Sequence, residues 1–178
     1  MVTSGMHISR REWMLAAACW GELLRAQTKR FSWLDSATAA EIEAIASQII
    51  PDDDTPGAKQ AGVIYFIDGA LAGYDLDQRE LYQRGLAETQ VKRAAMFPGS
   101  SSIASLAKDQ QIALLKAIEQ TEFFQQVRRH TVLGFFGHPK YGGNRGLAGW
   151  KLIGVEHQME YQPPFGYYDA EVSREGSN

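Results

Sequence analysis

Through the middle of the chain, apolar residues recur every three to four positions, the period of a helix with one buried face. The first such stretch runs from Leu34 to Ile50. In it Ile42, Ile45, Ala46 and Ile49 share a stripe, Thr38 and Glu41 have capping-box spacing, and Pro51 ends the run. Asp52, Asp53 and Asp54 then lead into Thr55 as an N-cap, with Pro56 at the first helical position. A second helix is therefore expected from Gly57 to Leu71, with Val63, Phe66, Ile67, Ala70 and Leu71 inward. The third is expected over Asp77 to Met96, with Leu81, Tyr82, Gly85, Leu86 and Thr89 toward the core, and Phe97 to Ser102 as the loop that closes it. The fourth spans Leu106 to Glu119 on Leu106, Ile112, Leu115 and Ile118. The fifth starts after Thr121 as N-cap and buries Phe123, Phe124, Val127, Thr131 and Phe135. Only Lys151 to Val155 hints at the period of two that a strand needs. The pattern predicts an all-α fold, a compact domain of about five or six helices.

The helical pattern breaks at Gly134 to Val155, which reads GFFGHPKYGGNRGLAGWKLIGV. Glycine inside a helix costs about 1 kcal/mol against alanine and Pro139 lacks a donor, so Gly137 to Gly149 is expected to be a long glycine-rich loop. Trp150 and Leu152 to Val155 are expected to anchor its far end in the core. Two readings of the loop stand together. One is a clasp across the helices, with Tyr141 and Trp150 as plugs and Arg145 on backbone carbonyls. The other is a contact surface for a partner or anion, built from Tyr141, Gly142, Gly143, Asn144, Arg145 and Trp150. No GxxxxGK[ST] occurs, so the loop is not a phosphate loop.

At 178 residues the chain suits a single core, read as one helical domain over residues 34–170. A net charge of −3 gives no electrostatic footprint for nucleic acid, and the lone Cys19 excludes an internal disulfide. Residues 1–30 contain SRREWMLAAACW, in which Arg10 and Arg11 precede a short apolar run. This is the form of a twin-arginine export address, although an amphipathic first helix has the same residues, and Ala16 to Cys19 loosely resembles a lipobox. No stretch reaches the roughly 18 apolar residues that span a bilayer. Near the other end, Pro163 and Pro164 with Phe165, Tyr167 and Tyr168 suggest an extended C-terminal arm that lays rings on a surface, and residues 171–178 are expected to be disordered.

Catalytic spacing is not evident. His7, His130, His138 and His157 form no HExxH pair, and there is no GxSxG elbow, GxGxxG turn or CxxCH haem motif. The Asp52 to Asp54 run lacks the alternating ligands of a calcium loop. Asp68, beside the apolar stripe of the second helix, is either a general base or a cap. A free-standing binder or enzyme would need Asp68, His138, Tyr141 and Arg145 around one pocket. Neither a metal nor a cofactor of its own is expected for this chain.

Three segments together resemble a known family: PDDDTPGAKQAGVIYFID from Pro51 to Asp68, the Phe123 to Phe136 helix running into GFFGHPKYGGN, and GWKLIG from Gly149 to Gly154. They are similar to the gluconate 2-dehydrogenase subunit 3 family. The resemblance implies a small, non-catalytic subunit of a periplasmic dehydrogenase acting on sugars or polyols. Its large partner would be an FAD-dependent oxidoreductase of the glucose-methanol-choline type, often accompanied by a multihaem cytochrome c subunit that passes electrons to the membrane. The twin-arginine leader would carry the folded pair across the membrane. Tyr141 to Arg145, Trp150 and the Phe165, Tyr167 and Tyr168 arm would face the large subunit.

Overall fold

A computed structural model describes residues 31–156, so the leader, Arg10 and Arg11, and the arm with Phe165, Tyr167 and Tyr168 lie outside the described residues. Within them the fold is all-α: six α-helices and three short 3-10 turns, with no strand. The helices are α1 (Ser36–Ile49), α2 (Val63–Ala72), α3 (Arg79–Met96), α4 (Lys108–Ile118), α5 (Glu122–Phe136) and α6 (Ala148–Leu152). None of the described helices is long and apolar enough to cross a membrane.

The two helices α2 and α5 form the centre, and α1, α3 and α6 each pack on α5. The most apolar helix is α2, whose Val63, Ile64, Phe66, Ile67, Ala70 and Leu71 are all buried. Ile42 and Ile45 of α1, Leu114 of α4, and Val127 and Phe135 of α5 close around them. Each such side chain contributes about 1.5–3 kcal/mol by leaving water, which makes this layer the main source of stability. Close approach of α3 and α5 depends on Gly85: a Cβ there would lie 2.3 Å from the Cβ of Phe123.

Several expected details differ. The N-cap of α1 is Asp35, whose Oδ1 accepts from Ala37 N and Thr38 N at 2.9 Å each while Thr38 Oγ1 donates to Oδ2. A carboxylate upstream takes both free amides, so the Thr38 and Glu41 box does not form. Glu41 instead accepts from Ile103 N at 2.7 Å, tying the loop before α4 to α1. The second helix begins at Val63, not Gly57, because Gly62 sits at φ 68 and breaks the helical run. Upstream of it, Asp52 accepts from Gly57 N and Asp53 from Thr55 N and Oγ1, so Thr55 is a turn residue rather than a cap. In α4 the buried positions are Gln111, Leu114, Leu115 and Ile118, while Ile112 faces outward. Gln111 is held inside by carbonyls of Ile103 and Leu106 and by the Gln48 amide. The expected cap on α5 is present, with Thr121 Oγ1 accepting from Phe124 N.

Candidate functional site

The glycine-rich loop is a strap over the end of α5. Helix ends leave carbonyls without intrahelical partners, and here loop side chains take them. Trp150 Nε1 donates to Phe136 O at 2.7 Å, and Asn144 Nδ2 donates to Gly137 O at 2.9 Å. The Asn144 Oδ1 accepts from Gly149 N at 2.9 Å, so one fully buried side chain joins both ends of the loop. Asn144 adopts φ 49, a left-handed conformation that asparagine tolerates better than most residues. Two glycines make the contact with α5: a Cβ at Gly143 or at Gly149 would lie 2.1 Å from the carbonyl oxygens of Gly134 and Phe135 respectively.

The same loop reaches α2. Arg145 N donates to Ala61 O at 2.9 Å, and its guanidinium carbon lies 3.8 Å from the centre of the Tyr65 ring. Gly62 makes room for that side chain, since a Cβ there would meet Arg145 Cδ at 2.6 Å. His138 caps the 3-10 turn Pro139–Tyr141 through Nδ1, which accepts from Lys140 N, and packs edge-on against Trp150. Tyr141 stays half exposed beneath Lys140. Beyond Trp150, the expected apolar anchor is not found: Leu152, Ile153 and Val155 are 49%, 55% and 39% exposed. Residues Ala148–Leu152 form a single helical turn and a half, too short to turn these side chains inward, and leave an apolar surface patch.

The structure therefore separates the sequence candidates. Gly142, Gly143 and Asn144 are packing elements of the strap, whereas Tyr141 and Arg145 reach the surface. His138 and Tyr141 border a shallow apolar groove with Phe66, Tyr74 and Leu133, while Arg145 borders a different cleft with Lys151. Asp68 lies in neither. Its carboxylate accepts from the amides of Ser32, Trp33 and Leu34 at 2.7–2.9 Å, a cap that fixes the chain entering α1. The four groups needed for a free-standing pocket do not border a common cavity.

One buried polar cluster escaped the sequence reading. His130 on α5 is fully buried; its Nδ1 is 2.9 Å from Tyr82 Oη and its Nε2 is 2.8 Å from Asp75 Oδ2, with the Gln126 amide at 2.9 Å. Burial pushes the imidazole pKa down despite the Asp75 hydrogen bond, and it pushes the Tyr82 hydroxyl up. The neutral ring then accepts from Tyr82 and donates to Asp75, an arrangement that pins α3 and the Asp75 turn to α5. Tyr82 is itself buried, and Asp75, 31% exposed, is the acidic member that reaches toward solvent. A signal was present: His130 falls on the same face as Phe123, Val127 and Thr131.

Among the described residues, every buried side-chain nitrogen and oxygen has a partner inside the protein, and no three His, Cys, Asp or Glu side chains gather as a metal site would require. Fold and site together define a small helical domain whose buried polar groups brace its own loops. The sequence matches the family model described as gluconate 2-dehydrogenase subunit 3 over residues 36–156, from the first turn of α1 to the end of the described chain. The chain belongs to that family, which is an accessory subunit of a dehydrogenase complex. Comparison with curated proteins and with solved structures gives no match.

Proposed function

We propose that this chain is the non-catalytic small subunit of an FAD-dependent sugar or polyol dehydrogenase, which it binds, stabilises and escorts across the membrane. The observation that carries the reading is the family match over the whole folded body, residues 36–156. Two features support it. The buried polar groups are occupied in holding the fold, and the strap leaves Tyr141 and Arg145 at the surface, with Leu152, Ile153 and Val155 exposed after it. Tyrosine, tryptophan and arginine dominate interface energetics, and truncating a central one typically costs about 2 kcal/mol or more.

In this reading FAD belongs to a large partner of the glucose-methanol-choline type, and a cytochrome c subunit with haem completes the route to the membrane. The assembly is periplasmic and membrane-associated. Arg10 and Arg11 supply the twin-arginine export address for the pair. Phe165, Tyr167 and Tyr168 extend the contact with the large subunit.

The test is deletion of this chain in its native host, with dehydrogenase activity assayed in the periplasm. Activity should vanish and return with the wild-type gene, and Arg10 and Arg11 both changed to lysine should fail to restore it. Undiminished periplasmic activity in the deletion strain would refute the role.

A further inference from the structure

Beside the strap lies an open cleft of about 350 Å³, bordered by Thr55, Gln60, Arg145, Lys151 and Leu152 among others, none of them acidic. Two cations face it. Among the described residues neither the Arg145 guanidinium nor the Lys151 ammonium has a carboxylate within ion-pair distance. In the turn that leads to Thr55, Asp52 accepts from Gly57 N, and Asp53 from Thr55 N and Oγ1. Arg145 is also held in place. Its stem packs on Gly62 and its guanidinium carbon lies 3.8 Å from the centre of the Tyr65 ring, while the residue stays exposed to solvent. A cation already ordered loses little conformational entropy on binding.

We infer that this cleft is a receptor for a carboxylate side chain of the dehydrogenase large subunit, with Arg145 as the fork and Lys151 as the second cation. The inference rests on the accessory-subunit reading and names the chemistry of its contact. A protein segment is the occupant because half-exposed Leu152 borders the cleft beside the two cations, so an acidic residue flanked by an apolar one satisfies both. A small free anion would leave Leu152 uncovered. The chain as a whole carries a net charge of −3, so its overall charge gives no general attraction for an acidic segment.

The test uses the full-length tagged chain expressed in its native host, purified with whatever flavoprotein accompanies it, and treated with a zero-length carbodiimide cross-linker. Lys151 should be joined to an Asp or Glu of the flavoprotein. Lys151→Glu, at an exposed position that does not threaten folding, and Arg145→Lys, which keeps the charge but loses the fork, should each lower flavoprotein recovery about tenfold, with wild-type recovery falling as salt rises. Equal recovery by wild type and both variants, with no cross-link at Lys151, would overturn the cleft while leaving the accessory role intact. Recovery of no flavoprotein by the wild type would overturn the role itself, and the occupant with it.

Discussion

Asn144 is the residue on which the strap depends, and replacing it separates two physical contributions. In Asn144→Ala, the buried Gly149 amide loses its acceptor and Gly137 O loses its donor. An orphaned buried amide costs about 1–3 kcal/mol, whereas the half-buried Gly137 carbonyl can turn to water at small cost. Alanine at φ 49 adds about 1 kcal/mol of left-handed strain. The sum, about 2–4 kcal/mol, is a large share of the roughly 5–15 kcal/mol that holds a domain folded. In a chain of this size it corresponds to a fall in melting temperature of roughly 5–15 °C. Asn144→Gly removes the same hydrogen bonds without the strain and should melt above Asn144→Ala, by a few degrees. Asn144→Asp keeps the acceptor for Gly149 but sets a carboxylate against the Gly137 carbonyl, and should be no better than alanine. Thermal unfolding followed by circular dichroism decides. An Asn144→Ala protein melting within about 2 °C of wild type, or a glycine variant no more stable than the alanine one, would refute the bridging role.

Other positions give independent checks. Burial holds the His130 pKa below its ordinary value, so between that ordinary value and the folded one the unfolded chain binds the extra proton. Stability is thus complete above about pH 6.5 and falls as pH drops, by up to about 1.4 kcal/mol per pH unit. Urea unfolding at pH 7 and pH 5 should show the loss, and His130→Gln should flatten that part of the profile; an unchanged slope would contradict it. Gly85→Ala drives a methyl into Phe123 and should cost about 1–3 kcal/mol by denaturant titration, more than alanine at exposed Gly69, where a Cβ would lie 3.9 Å from its nearest neighbour. Asp68→Ala strips the acceptor from three amides and should destabilise by about 2–4 kcal/mol, with Asp68→Asn intermediate. A catalytic base would instead leave melting unchanged.

How far the sequence alone reaches can be judged from these elements. Helix period and turn residues revealed the all-α fold, the Thr121 cap and the irregular loop, because those signals are local. The start of α2 falls later than Thr55 and Pro56 predict because that signal competes with Gly57 and Gly62. The outcome there is set by Arg145, which needs the space beside Gly62 and is distant in sequence. Ile112, expected inward, faces out while Gln111 is buried, since Gln111 finds three partners inside the fold. His130 went unread because its partners Tyr82 and Asp75 lie 48 and 55 positions away, beyond any spacing rule. Of the expected contact residues, Asn144 is legible as part of YGGN, but only the folded loop shows that its side chain is a buried brace.

The accessory role is tested most directly by isolating the tagged chain from its native host under mild conditions and identifying what accompanies it by mass spectrometry and flavin absorbance. A stoichiometric flavin-containing dehydrogenase subunit is expected, with substrate-dependent bleaching by a sugar or polyol. Recovery of this chain alone, folded and monomeric, would contradict it.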